Sequence, residues 1–561
     1  MLTKHFKILI FLLILFYQSS LYSKNTDNND FNSKDLFNYF SALISYDNQK
    51  NTEALKFFNS SKYLINRHEP YLKKYITSLV IEGKVNRAIQ ELKYFIDKKN
   101  ADFFEANLLL ALDSIVKKDF KKSTKYLSKL SNFKDNSVME LIIYQSLKDY
   151  IFLFKNKEIS PHKNSFRNLS SISKTFQNCY LNKKETQLYF ENLINNEIDY
   201  SRYKFFYINY LIEKNNFNKV KEISNQIDSL SSSLLISQTK RWIDKKKFEE
   251  FNQIFSCQNE KDILGEFLFL ISSLYSNEDE IEESNFYLNI SNYLNPKFKF
   301  NLSLLAENYF IKENYRQSKK ILNYFNKNDD VYYWYKIKKK SQIISIEAGD
   351  QESSNFIKVK FKKIKTPTVK TLFDMANITK GFKDYKTAIH YYTEVLSKIN
   401  ENTQSYGDIL YRRGGSYERL GKFKESDEDL LKSLEINSDD AYVLNYLAYS
   451  WLERDYKIDI AIEMLEKAYR QKENDPFILD SVGWAYYLVD DLIKAEKFMN
   501  RAIEIMPNDP IVNDHYGDIL WRLDRKIQAR YYWKNVLNLE DTKEKMKEDI
   551  NVKLLKGPKK I

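Results

Sequence analysis

The feature that most restricts what this chain can fold into is a recurrence of small side chains. Near the C-terminus Ala376, Gly414, Ala448, Gly483 and Gly517 follow one another at intervals of 38, 34, 35 and 34 residues. Twelve residues after most of them stands a second small residue, Ala388, Ser426, Ala495 or Ala529, with Ala461 displaced by one position. Seven further on come Ser433, Ala468 and Ala502. The same lattice pairs Ala42 with Ala54, Ile76 with Ala88, Ala111 with Ser123, Ser272 with Ser284, and Ala306 with Ser318. A fixed period of this length marks stacked supersecondary units. Two antiparallel helices approach closely only where small side chains face each other. Larger residues a turn away then interlock, as expected of Tyr486 with Met499 and of Tyr417 with Leu430.

Composition agrees with long helices. Only 11 glycines and 8 prolines occur in 561 residues, too few for a turn-rich β protein. Pro70, Pro296, Pro367, Pro476, Pro507 and Pro510 fall at expected unit boundaries, where a missing amide hydrogen costs least. A chain of this length exceeds one ordinary core and must form several domains or an extended array.

The formal charge of +12 is spread along the chain. Nucleic-acid binding requires a concentrated basic stripe, so that class is set aside. The one dense basic run, KLLKGPKKI, is expected to be a frayed, solvated end. Cys179 and Cys257 are the only cysteines and form no CxxC, which excludes a disulfide-rich scaffold and the usual zinc patterns. They lie about two repeats apart; stacked helices are about 8–10 Å apart, whereas a disulfide needs Cα atoms within about 7 Å. Two free, buried thiols are therefore expected, with a single bridge as the alternative in an oxidising compartment.

The N-terminus reads MLTKHFK, then the apolar run ILIFLLILFY, then QSSLYS. This is the layout of a signal peptide, and the run is short for a membrane span. Cleavage is expected after Ser23, with Leu21 and Ser23 in the recognition positions. An uncleaved anchor is the alternative. No cysteine follows the run, which excludes a lipoprotein anchor.

Catalytic constellations are missing. His5, His68, His162, His390 and His515 form no HxxxH or HExxH pair, so no metal site is expected. His515 adjoins Asp514, but without a nucleophile the pair reads as a polar helix start. RRGGSYERLGK has no preceding strand and is not a phosphate loop. No enzyme activity and no cofactor are expected.

The unit 476–509, with Gly483, Tyr486, Ala495, Ala502 and Pro507, resembles the tetratricopeptide repeat (TPR). The resemblance is strong over 366–540, moderate over 35–130 and 265–325, and weak elsewhere. It implies an all-α, TPR-type α-solenoid, a superhelix of antiparallel helix pairs, here roughly ten to twelve of them. It also implies that the first helix of each pair lines a concave face through its positions 2, 5, 9, 12 and 13. Position 5 then reads Tyr411, Asn445, Asp480 and Asp514; position 9 adds Tyr449, Trp484 and Asp518; positions 12 and 13 add Tyr487, Trp521 and Arg522. Such ladders suit an extended peptide. The carboxylates would repel an anionic tail and favour a basic or polar-aromatic segment.

The phrases LNYLAYSWLER, LDSVGWAYYL and NDHYGDILWR resemble a branch of exported proteobacterial TPR proteins, some of which act as periplasmic adaptors for envelope proteases. The resulting expectation is a periplasmic, non-enzymatic scaffold that binds a protein or peptide, serving envelope assembly or proteolysis. A membrane-anchored structural protein assembling through its outer faces is the alternative. The expected divisions are a signal peptide (1–23), a linker (24–34), N-terminal repeats (35–130), degenerate helical repeats (131–260), middle repeats (261–365), a C-terminal array (366–545) and a basic tail (546–561).

Overall fold

A computed structural model of the chain describes residues 32–66, 68–95, 101–162, 166–195 and 201–558. The expected signal segment, with Leu21 and Ser23, lies outside the described residues, as does the linker through residue 31. The described residues contain no strand, and their thirty α-helices form fourteen pairs, more than the sequence led us to expect. Helices Val138–Asn156 and Glu544–Lys556 stand outside the pairing. No helix among them is long and apolar enough to cross a membrane.

The small-residue lattice does what close packing demands. The second small residue of each pair, from Ala54 and Ala88 to Ala495 and Ala529, has no exposed surface. Sixteen residues after Gly414, Gly483 and Gly517 stand Leu430, Met499 and Trp533, all at 0% exposure. These large side chains lie on the glycines: a Cβ at Gly414 would meet Leu430 Cγ at 3.0 Å, and one at Gly483 would meet Met499 Cε at 3.2 Å. Each such buried side chain contributes about 1.5–3 kcal/mol.

Helix starts are fixed locally. Asp440, Asp475 and Asp509 are N-caps whose carboxylates each accept two backbone N–H groups of the first turn. Pro476 and Pro510 occupy the first helical position, where a proline loses no hydrogen bond.

The chain divides into two compact units, Met1–Ile227 with Ser233–Lys336, and Asp228–Ser232 with Ile337–Ile561. In the first unit a backbone signature shows pairing where the sequence lattice fades. Residues with left-handed backbone close the turn inside a pair at Asn182, Asn215, Lys246, Asp279 and Glu313, at intervals of 33, 31, 33 and 34. Seven residues before the first three stand Thr175, Ile208 and Thr239, all buried. Larger side chains therefore fill the position that glycine or alanine holds elsewhere.

The first unit also returns on itself. Asn289 Nδ2 donates to the Ile81 carbonyl at 3.0 Å across 208 residues, and Gln317 Nε2 donates to Thr52 Oγ1 at 3.2 Å. Inside it, Arg202 and Glu266 form a two-pronged ion pair at 2.8 and 2.7 Å, with the guanidinium 3.8 Å from the Phe269 ring centroid.

Two expectations are corrected here. Cys179 and Cys257 are not free thiols; they form a disulfide with Cα atoms 5.7 Å apart. Helix-to-helix spacing was the wrong measure, because Cys257 lies in a turn after Glu249–Ile254 and not on a stacked helix. That turn folds onto the end of Arg167–Tyr180, where Gln258 Nε2 donates to the Cys179 carbonyl at 3.1 Å. Over its described residues, through 558, the basic tail is not frayed either: Glu544–Lys556 is a helix, and it buries Ile550 fully.

Candidate concave-face binding site

In the second unit the helices Gln404–Glu418, Ala441–Leu452, Pro476–Leu488 and Pro510–Arg522 are the first members of consecutive pairs. They frame a groove of about 510 Å³, lined among others by Asn445, Tyr449, Asp480, Phe477 and Ile511. Three of the ten expected contact residues, Asn445, Tyr449 and Asp480, thus meet in one groove. Asn445 Oδ1 is buried there without a hydrogen-bond partner. Burial and the neighbouring Glu453 push the Tyr449 hydroxyl above its ordinary range, so it stays a neutral donor. Tyr411 stands at the end of this row, edge-on to Tyr446 with ring centroids 5.7 Å apart. The Tyr446 hydroxyl donates to Glu418 at 3.0 Å, and the absent side chain of Gly415 leaves it room.

Asp480 and the remaining expected contacts are engaged within the chain. Asp480 Oδ1 lies 2.8 Å from His515 Nδ1. His515 therefore pairs with Asp480 of the preceding repeat and not with its neighbour Asp514. Burial opposes its charge, but the Asp480 carboxylate prevails and holds the imidazole above its ordinary range. Trp484 stacks on His515 at 4.1 Å and on Tyr487 at 4.8 Å. Arg522 donates to Asp490 at 2.5 Å and sits over the Tyr487 ring.

Asp514 and Asp518 receive Lys553 Nζ at 2.6 and 2.8 Å. Trp533 Nε1 donates to the second oxygen of Asp518 at 3.1 Å. Burial and Asp514 push the Asp518 carboxyl up to about 6, with Lys553 pulling the other way. The acidic ladder is therefore not the open surface that the sequence suggested, because basic groups from the following elements neutralise it. Trp521 is covered as well: a Cβ at Gly557 would come within 2.6 Å of its indole.

The sequence reading passed over one feature. The second residue of three consecutive first helices is apolar and exposed: Tyr442 at 51%, Phe477 at 59% and Ile511 at 51%. Phe477 and Ile511 line the groove. The signal was present, since each follows an Asp N-cap by two residues, but Phe477 and Ile511 carry no polar group to draw notice. Among the described residues no group of three or more His, Cys, Asp or Glu could hold a metal ion.

Paired helices, a shared packing lattice and a lined groove define a helical-repeat scaffold of the class that binds other proteins. The fold is an all-α solenoid of the tetratricopeptide-repeat (TPR) type, and residues 407–440 match the family described as Tetratricopeptide repeat. The TPR repeat-containing protein PA4667 of Pseudomonas aeruginosa is 31% identical over 123 residues, which are 21% of this chain and 21% of that protein. The chain thus spans about a fifth of that relative's length. Among solved structures, PilF of Pseudomonas aeruginosa is similar at 16% identity, covering 34% of this chain and 83% of its own, with a TM-score of 0.29. MamA of Desulfovibrio magneticus is similar at 19% identity, covering 31% and 97%, with a TM-score of 0.27.

Proposed function

We propose that the chain captures an extended segment of a partner protein in the groove of its C-terminal array, as a non-enzymatic adaptor in the cell envelope. The observation that carries this reading is the pairing of an exposed apolar ladder with an unfilled acceptor. Phe477 and Ile511 offer contact area to ligand side chains. Asn445 Oδ1 is a neutral acceptor without a partner, and an unmet buried acceptor costs free energy that a ligand N–H recovers. A backbone amide fits it better than an ammonium group, since no counter-charge is needed. The favoured ligand is a segment with apolar side chains at alternate positions and its backbone accessible, which shifts the emphasis away from a purely basic segment.

The disulfide supports export. Such bonds persist in oxidising compartments and are rare in the cytosol. This agrees with the signal-peptide layout of residues 1–23 and with a periplasmic location.

Asp480 and Trp484 are poor choices for a test, because both hold the buried His515. The informative variants are Phe477→Ala with Ile511→Ala, and Asn445→Ala alone. Crosslinking in the native organism identifies the partner. Both variants are then expected to lose at least ten-fold in affinity with helix content unchanged. Undiminished recovery of the partner by the double variant refutes the reading.

A further inference from the structure

Lys553 shows what one part of this surface accepts. Its ammonium group bridges Asp514 and Asp518, which hold positions 5 and 9 of the last first helix, the positions that Asn445 and Tyr449 hold in the groove. Trp521, at position 12, lies under Gly557. The segment 553–557 therefore sits on the last concave helix as a bound ligand would.

The helix that delivers Lys553 is lightly held. Of the thirteen residues of Glu544–Lys556 only Ile550 is buried, and its N-cap, Lys543, makes no side-chain bond to the first turn. Val552 is 52% exposed and Leu555 80%. The preceding helix, Lys526–Asn538, buries Ala529, Trp533 and Val536. The terminal helix is held by the buried Ile550, by the half-buried Met546 and Leu554 packed on the same core, by the lysine bridge, by Arg530 Nε donating to the Leu554 carbonyl at 3.4 Å, and by the approach of Gly557 to Trp521. If it lifts away, Asp518 keeps its bond from Trp533 Nε1, while both carboxylates lose the Lys553 ammonium and are left to take another cation.

We infer that Asp514, Asp518 and Trp521 form a lysine-accepting site, filled in cis by Lys553. A lysine-bearing segment of the partner takes this site by displacing helix Glu544–Lys556, and so extends the groove further along helix Pro510–Arg522. The inference rests on reading the concave face as the ligand surface. Charge complementarity selects the occupant: two carboxylates on one helix face match a single point charge better than the planar fork of arginine.

The test uses the full chain and a synthetic peptide of residues 543–558. Hydrogen exchange of the wild-type chain should show amides of 544–556 exchanging at least ten-fold faster than those of 526–538. In Lys553→Ala that protection should vanish. The immobilised peptide should capture the Lys553→Ala chain but not the wild type, and a peptide carrying the same substitution should capture neither. Equal protection of the two helices in the wild type, or retained protection with no capture in the variant, makes the helix a fixed cap and overturns the proposal. If Lys553→Ala also loses protection over 510–538, the wild-type exchange comparison decides alone. Phe477 and Ile511 are untouched here, so partner capture in the groove is scored separately.

Discussion

Gly517→Ala probes the packing rule on which the array depends. A Cβ at residue 517 would lie 2.5 Å from Trp533 Cδ1 and 3.0 Å from Cε2, whereas carbon atoms rest at about 3.5–4.0 Å. Trp533 has no exposed surface, so the indole must move about 1 Å against packed neighbours, an overpacking that costs about 1–3 kcal/mol. The shift also strains its 3.1 Å bond to Asp518, and a hydrogen bond to a charged group is worth about 1.5–3 kcal/mol. Alanine in place of glycine inside a helix returns about 1 kcal/mol. The expected net loss is about 1.5–5 kcal/mol. Gly381 is the control: it ends helix Val369–Gly381, and a Cβ there meets nothing within 4 Å. Gly381→Ala should be neutral or gain up to about 1 kcal/mol. A repeat array in a two-unit chain need not melt in one step, so the assay is hydrogen exchange over 510–538 at pH 8. If Gly517→Ala protects those amides as well as the wild type does, the claim that minimal bulk is needed at this crossing is wrong.

Two further outcomes follow from particular contacts. Reducing Cys179–Cys257 opens a loop closed across 78 residues, and should destabilise the helices between them by about 4 kcal/mol; unchanged exchange of 203–254 under reductant would contradict this, as would two titratable thiols in the untreated protein. His515 has its pKa raised in the fold, so its ionic contribution is complete below about 6.5 and lost as pH rises through the folded value. Asp518, raised to about 6, loses its contribution in the same direction but at lower pH, leaving the window above 6.5 to the imidazole. The Tm gap between wild type and His515→Gln should therefore narrow from pH 6 to pH 9, and a gap that widens refutes the sign.

Much of this architecture was legible in the sequence because bulk is a one-residue property. Gly414, Gly483 and Gly517 announce their crossings, and Pro476 and Pro510 announce their helix starts. The stretch 131–260 was less legible, because Thr175, Ile208 and Thr239 meet the same geometric need with more volume, and composition does not reveal that. The site was harder still. The repeat positions bring Asn445, Tyr449 and Asp480 to one groove, but whether a carboxylate is free depends on what arrives from elsewhere. Lys553 lies beyond the repeat lattice, and His515 reaches back a full repeat. Neither approach is encoded in spacing. The disulfide was missed for a related reason: a turn residue does not obey helix-to-helix distances.

The bonds from Asn289 to Ile81 and from Gln317 to Thr52 bear on how such a protein changes over evolutionary time. An array whose members touch only their neighbours gains or loses a member by duplication or deletion, with little consequence for the rest. The first unit has given up that freedom. Removing one helix pair between residues 85 and 281 would carry Asn289 away from the carbonyl it now meets, so copy number there is locked by a closure that no single repeat encodes.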